Sequence, residues 1–221
     1  MASGTTSKYK AIIFDMDGTL TESMYVWRGV FKDFIRKHNL KIPEKLEGIP
    51  EYPLGWSADL LLDQLPGRTR EDVVLEMLDL VDYHYATDVQ VKTDAPELVR
   101  RLREKGYKLA IATATQMKYA KTAIKRLGYE SMFDVILSTH DLGVGKDKVE
   151  CFERIAGILG CKTEECVMFE DALHAVKSAK AAGMAVCAIE DYYAWRQRDE
   201  IKSTADRYLT CYRELLEEMD A

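Results

Sequence analysis

The chain has 221 residues, enough for one sizeable domain or for a domain carrying a smaller inserted one. It is 47% hydrophobic and 31% charged, the balance of a folded globular protein, which excludes wholesale disorder. With 31 basic against 37 acidic residues the net charge is −6, so neither nucleic acid nor an anionic membrane is expected as a partner.

The opening residues, Met1-Ala2-Ser3-Gly4-Thr5-Thr6-Ser7, are small and polar and predict neither a signal peptide nor a transit peptide. No apolar run approaches the ~20 residues that a membrane span requires. Lys10-Ala11-Ile12-Ile13-Phe14 is a short apolar run ending on an acidic, glycine-containing loop. That pattern predicts a buried parallel strand whose carboxyl end carries chemistry. From Ser23 to about His38 the spacing becomes helical, with Val26, Val30, Phe31, Phe34 and Ile35 on one face. A proline- and glycine-bearing stretch runs from Ile42-Pro43 to Gly55-Trp56. Helices are predicted after it from Ser57 to Leu65 and from Arg70 to Ala86, so 23–90 reads as helix and loop.

After Pro96 the pattern alternates. Helices are predicted at 96–105, 117–127, 147–159 and 173–182, with strands at 107–112, 134–137, 166–169 and 184–189. Each helix ends at a glycine (Gly106, Gly128, Gly160, Gly183), the residue that most readily takes a left-handed C-cap. A last amphipathic helix is predicted from Leu209 to Met219. Strands alternating with helices of this length predict an α/β fold, a parallel sheet covered on both faces. The helical region interrupts the alternation after the first strand and therefore reads as an insertion. The expected domains are a core, 1–21 with 93–221, and an inserted helical domain, 22–92. No internal repeat interrupts this plan.

The five cysteines (Cys151, Cys161, Cys166, Cys187, Cys211) are odd in number and show no CxxC spacing. Buried free thiols in a reducing cytoplasm account for them better than a disulfide framework or a zinc site. The four histidines show no ligand spacing either.

In an open parallel sheet ligands collect at the carboxyl ends of the strands. Those ends carry Asp15 and Asp17 after the first strand, then Thr113 and Thr115. Lys146 follows, and Glu170 and Asp171 close the set. Carboxylates gathered at one edge repel each other unless a cation joins them, and all-oxygen ligands select a hard one, most simply Mg²⁺, together with a phosphate. A hydroxyl and a lysine at the same edge would neutralise a phosphoryl group. Simpler readings exist. Asp17-Gly18 alone would be a turn, and Thr113, Thr115 and Asp171 could serve as helix caps. An EF-hand fails because glycine would be needed at Leu20 and glutamate at Val26. A phosphate loop around Gly145-Lys146 fails because His140 and Asp147 stand where glycine and Ser/Thr are required.

Asp15-Met16-Asp17-Gly18-Thr19-Leu20-Thr21-Glu22-Ser23 resembles the first motif of the haloacid dehalogenase-like superfamily, D-x-D-G-T-L-x-[DE]-S. Ile111-Ala112-Thr113 resembles its second motif, Lys146 its third, and Phe169-Glu170-Asp171 its fourth, in the family's order and over nearly the whole chain. The resemblance implies a Rossmann-like, doubly wound parallel sheet with an inserted α-helical cap. It implies Asp15 as nucleophile, forming an aspartyl-phosphate, and Asp17 as general acid and base. Mg²⁺ would be held by Asp15, the main-chain carbonyl of Asp17, Asp171, and Glu170 directly or through water. Thr113, with the N–H groups of Ala114 and Met16, would bind phosphoryl oxygens, and Lys146 would balance charge. The family often continues this lysine with prolines, whereas Lys146-Asp147-Lys148-Val149-Glu150 stands here. That makes Lys148 a rival for the role, but Lys146 is kept because Glu150-Cys151-Phe152 then matches the family's acidic-apolar-Phe continuation.

The implied function is hydrolysis of a small phosphorylated metabolite by a cytoplasmic enzyme, with nothing in the sequence calling for more than a monomer. An acid at Asp17 favours phosphate esters over halide displacement or carbon–phosphorus cleavage. A phosphomutase of the β-phosphoglucomutase type is the alternative, although that branch has histidine where Trp27 stands. A catalytically silent relative would have lost Asp15, Asp17 or Asp171, and all three are present. Specificity is expected in the cap, with the loop around Gly48–Ser57 as the segment reaching the substrate.

Overall fold

A computed structural model describes residues 8–43 and 54–221; most of the loop expected around Gly48–Ser57 lies outside them. The chain divides into two compact units, Met1–Glu22 with Gln90–Ala221, and Ser23–Val89.

The first unit is built on β1 (Ala11–Phe14), β4 (Lys108–Thr113), β5 (Val135–Ser138), β6 (Cys166–Glu170), β7 (Ala185–Ile189) and β8 (Arg207–Leu209). They form one sheet in the order β5-β4-β1-β6-β7-β8, with every neighbouring pair parallel. Phe14 is level with Ile111 on one side and Phe169 on the other. Helices α4 (Ala95–Glu104), α5 (Met117–Arg126), α7 (Val149–Ile158) and α8 (Leu173–Ala181) provide crossovers, as the alternating pattern predicts, and α9 (Arg198–Thr204) leads into β8. A four-residue helix, α6 (Thr139–Leu142), follows β5 directly. Alternate strand residues point to opposite faces. Ala11, Ile13, Ala110, Ala112, Met168 and Val186 join Phe152, Ile155, Val176 and Ile201 in one cluster. Ile12, Phe14, Leu109, Ile111 and Phe169 face the other way and are buried as well. Both faces of the sheet are thus covered, which is why its strands read as unbroken apolar runs.

Three features depart from the sequence reading. Helix α7 starts at Val149 rather than residue 147, because Lys146 and Asp147 are spent in a turn. Leu209, expected to open the last helix, is the buried end of strand β8, and α10 runs from Arg213 to Asp220. A chain reversal separates the two: Glu214 Oε1 accepts from the main-chain N–H (2.8 Å) and hydroxyl (2.5 Å) of Thr210. The third is a short antiparallel ribbon, β2 (Thr21–Glu22) with β3 (Gln90–Val91). Its pairing keeps both ends of the helical segment in the first unit.

The second unit consists of α1 (Met24–His38), α2 (Leu54–Asp59), a 3₁₀ turn at Leu62–Gln64 and α3 (Arg70–Thr87). Helix α1 buries Val26, Val30, Phe31, Phe34 and Ile35, the face its spacing predicts, and α3 buries Val73, Met77, Leu78, Val81 and Tyr85. Thr69 and Asp72 cap α3 reciprocally. Trp27 donates its indole N–H to the Tyr85 hydroxyl at 3.0 Å.

Glu76 gathers Lys37 (2.7 Å), His38 (2.7 Å) and Arg68 (2.6 Å). Burial opposes ionisation of Glu76, but the hydrogen bonds from these three outweigh it and draw its pKa down to about 2. A carboxyl whose pKa is lower folded than unfolded adds stability above its unfolded value, lost as pH falls through the folded one. Glu76→Gln should therefore cost about 1–2 kcal/mol at pH 7, read by urea denaturation. The difference from the parent should shrink as pH falls from the ordinary glutamate range of ~4.3 towards about 2.

Candidate active site

Strands β4, β1 and β6 are adjacent, and the chain reverses its direction of progress across the sheet between them: β1, β4 and β5 lead outward one way, β6 to β8 the other. The carboxyl ends at such a reversal splay apart and leave a crevice. The polar residues after these strands collect there.

Asp15 leaves the end of β1 and is buried beside Glu170, the last residue of β6, and Asp171. Carboxylate oxygens of all three lie within 4.8 Å of one another. Lys146 reaches this cluster from the turn before α7 and is itself only 5% exposed. Its ammonium donates to Asp15 Oδ1 and to Glu170 Oε2, the latter at 2.9 Å. Lys148 is exposed and pairs with Asp147 at 3.1 Å, so of the two rival lysines Lys146 is the one that meets the carboxylates. Glu170 Oε1 accepts the N–H groups of Asp171 and Ala172, each at 3.1 Å, next to the start of α8. Both oxygens of Glu170 are thus engaged by N–H donors, and with Asp15 and Asp171 it forms a group of carboxylates close enough together to hold a metal ion.

Asp17 is half-buried and its side chain turns the other way. Its Oδ2 accepts from Thr115 Oγ1 at 2.8 Å and from Thr113 Oγ1 at 3.3 Å. Thr115 N–H donates in turn to Thr113 Oγ1 at 3.0 Å, and Ser138 at the end of β5 donates to the Thr115 carbonyl at 2.8 Å. Ala114 is exposed in the bend between the two threonines. Three neighbouring strands thereby fix the direction of one carboxyl group.

The loop between Asp15 and β2 is a compact turn. Leu20 and Thr21 N–H both donate to the Met16 carbonyl, at 2.9 Å each, and Gly18 N–H donates to the Thr21 carbonyl at 2.9 Å. Gly18 has φ +89°, and a Cβ there would lie 2.5 Å from Asp171 Oδ2. The Asp171 carboxylate is therefore seated against bare backbone, and Thr19 Oγ1 donates to its Oδ1 at 3.0 Å. Thr115 and Ser138 complete the arrangement beyond the residues the motifs single out, and Thr19, a motif residue given no role by the sequence, holds Asp171. Lys92, which no spacing marks, stands at its edge: it donates to the Glu190 carbonyl at 2.9 Å and lies 3.5 Å from Asp191 Oδ2.

Electrostatics decide what this cluster can hold. Burial pushes the carboxyl pKa values of Asp15 and Asp171 up, and the neighbouring carboxylates add to it. Burial works against the Lys146 ammonium, but Asp15 and Glu170 outweigh it and hold its pKa above the ordinary lysine range. One ammonium among three carboxylates leaves a surplus of negative charge in a buried space. The donors are all oxygen, and Asp171 rests in a cradle that a Cβ would fill. Such a set fits a hard divalent cation such as Mg²⁺. Asp15 and Asp171 present carboxylate oxygens for it, whereas the Asp17 carboxylate is turned to the threonines.

Cys151, Cys166 and Cys187 are buried free thiols, whereas Cys161 is half-buried and Cys211 exposed, a departure from the uniform burial expected. His174 is exposed.

The family model of the haloacid dehalogenase-like hydrolases matches residues 9–183. A phosphorylated carbohydrates phosphatase of Thermotoga maritima is 28% identical over 185 residues, 79% of this chain and 82% of that one. Pyrophosphatase PpaX of Halalkalibacterium halodurans is 26% identical over 199 residues, 90% of each chain. Among solved structures, CbbY of Rhodobacter sphaeroides in complex with phosphate superposes with a TM-score of 0.76 at 21% identity. That superposition covers 94% of this chain and 96% of CbbY.

Gly18→Ala should be destabilising by about 1–3 kcal/mol in thermal or urea unfolding, because it strains the backbone as well as crowding Asp171. Calorimetric titration with Mg²⁺ or Mn²⁺ should show affinity reduced at least about tenfold, since the carboxylate must move.

Proposed function

The chain belongs to the haloacid dehalogenase-like hydrolases, and on that premise we propose that it is a Mg²⁺-dependent phosphatase of small phosphorylated metabolites. The observation that carries this is the pairing of two aspartates in different surroundings. Asp15 is buried and ion-paired to Lys146, while Asp17, two residues on, is half-buried and hydrogen-bonded to hydroxyls. Two carboxyl groups in unlike environments can divide nucleophilic and acid–base roles between them.

In this reading an Asp15 oxygen attacks phosphorus as the bond to the leaving oxygen breaks, giving an aspartyl-phosphate. Asp17 gives its proton to the leaving oxygen. It then takes a proton from the water that attacks phosphorus, which frees Asp15 and releases inorganic phosphate. Thr115, at 2.8 Å, keeps Asp17 aimed for both steps. Lys146, braced by Glu170, orients Asp15 and offsets charge carried in with the substrate. Mg²⁺, held by the carboxylates of Asp15 and Asp171 and the Asp17 carbonyl, would supply further neutralisation of the nucleophile and the phosphoryl group. The Thr113 hydroxyl and the N–H groups of Ala114 and Met16 are assigned to phosphoryl oxygens.

The helical unit Ser23–Val89 is read as the cap, and substrate choice is assigned to it. Relatives that act on phosphorylated carbohydrates and on pyrophosphate support a small, polar, phosphorylated substrate. The phosphomutase alternative gains nothing from Trp27, whose indole N–H is spent on Tyr85. The unpaired thiols support a reducing, cytoplasmic setting.

Purified protein should release inorganic phosphate from an aryl phosphate only with Mg²⁺ present, and EDTA should abolish the release. Asp15→Asn should lower turnover at least about a thousandfold, and undiminished turnover in that variant would sink the mechanism. Asp17→Asn should lose about 10²–10⁴-fold with ordinary esters, while still accumulating phosphoenzyme from a substrate with a good leaving group. A panel of sugar phosphates, nucleotides and pyrophosphate, scored by phosphate release, would identify the substrate.

A further inference from the structure

The Asp171 carboxylate is held by a chain of hydrogen bonds that begins far away in the sequence. Tyr212 lies between β8 and α10 and is 0% exposed. Its hydroxyl donates to the Thr19 carbonyl at 3.0 Å, across 193 residues of sequence. Thr19, equally buried, donates its own hydroxyl to Asp171 Oδ1 at 3.0 Å. Both bonds lie out of contact with water, where a hydrogen bond is strong and its loss leaves an unsatisfied group.

Tyr212 is itself firmly placed. Its ring packs 6.0 Å from that of Phe169 on β6, the strand that ends one residue before Asp171. The next residue, Arg213, makes two hydrogen bonds of 2.9 Å to Asp94. Asp94 in turn sits at φ +64°, a left-handed conformation that such a clamp helps to maintain. On the other side, Glu214 fastens Thr210. Burial also pushes the Tyr212 hydroxyl well above its usual pKa, so it remains a donor throughout the working range.

A hydroxyl that holds the Thr19 carbonyl fixes the turn from which the Thr19 side chain projects. That side chain decides which Asp171 oxygen is tied to protein and which is left for a cation. We infer that Tyr212 is a positioning residue for the cation site, acting on Asp171 through Thr19. This rests on the assignment of Asp171 as a metal ligand. It adds a third tier to the site, supplied by the C-terminal helix junction, a region in which none of the four motifs lies.

The test is a double-mutant cycle read by calorimetric titration of Mn²⁺ into purified protein without substrate. Parent, Tyr212→Phe, Thr19→Val and the double variant are compared, with Thr19→Ser as the conservative control. Thr19→Val should weaken Mn²⁺ binding by about 10- to 100-fold, the usual cost of losing a group hydrogen-bonded to a metal ligand, and Thr19→Ser should restore most of it. Tyr212→Phe, one step further out, should weaken binding about three- to tenfold. In the Thr19→Val background the same change should have little further effect, because its route to Asp171 is gone.

Equal Mn²⁺ affinity in parent and Tyr212→Phe would overturn the inference. So would an additive double variant, which would mean that Tyr212 supports the fold generally. Should Tyr212→Phe fail to fold, unchanged affinity in Thr19→Val would overturn it just as well, and a large loss rescued by Thr19→Ser would support it. No Mn²⁺ binding by the parent would instead remove the metal-site reading on which the inference stands.

Discussion

Three carboxylates and one ammonium confined to a buried space at the end of β1 and β6 set the terms for everything around them. Asp15, Glu170 and Asp171 repel one another, burial denies them solvent, and Lys146 neutralises only part of the charge. Taking one partner out of a buried ion pair costs about 3–5 kcal/mol, so the surrounding fold must hold all four side chains in register. The parallel sheet does so by placing Phe14 level with Phe169, which puts Asp15 and Glu170 at adjacent strand ends. The stacked rings of Phe14 and Phe169, 4.6 Å apart, lock that pair of strands directly beneath the charges.

The same crowding explains the short turn after β1. A carboxylate that must approach backbone closely needs a residue without Cβ at the point of approach, and Gly18 supplies it. The turn then brings Thr19 onto Asp171 and aims Asp17 at β4, so one short reversal serves both aspartates. Asp17 lies with hydroxyls outside the crowd, the setting an acid–base group requires beside a nucleophile ion-paired to a lysine.

The helical unit obeys different physics. Its core is an apolar seam between α1 and α3, and its charged focus, Glu76 with Lys37, His38 and Arg68, is partly open to solvent. Trp27 illustrates the division. An aromatic residue near the first motif invites a role in substrate binding, yet its indole N–H is satisfied within the unit by Tyr85.

The sequence by itself determined the α/β alternation, the helical interruption and the residues of the four motifs, because these are local patterns. Apolar runs, glycine stops and strand-end carboxylates all lie within a few residues of one another. Only the family continuation Glu150-Cys151-Phe152 favoured Lys146 over Lys148, and what separates the two physically, burial in the turn before α7, could not be read from the sequence. Nor could it show that Thr115 joins Thr113 on Asp17, or that Glu170 spends its oxygens on Lys146 and backbone N–H groups. Strand β8 was illegible because three residues at a sheet edge carry no periodicity, so Leu209 read as the start of a helix. Tyr212 and Lys92 were illegible for a deeper reason: their partners lie 193 and 98 residues away, and only folding brings them together. Tertiary structure alone decided which hydroxyls hold Asp17 and Asp171, since that depends on distance and burial.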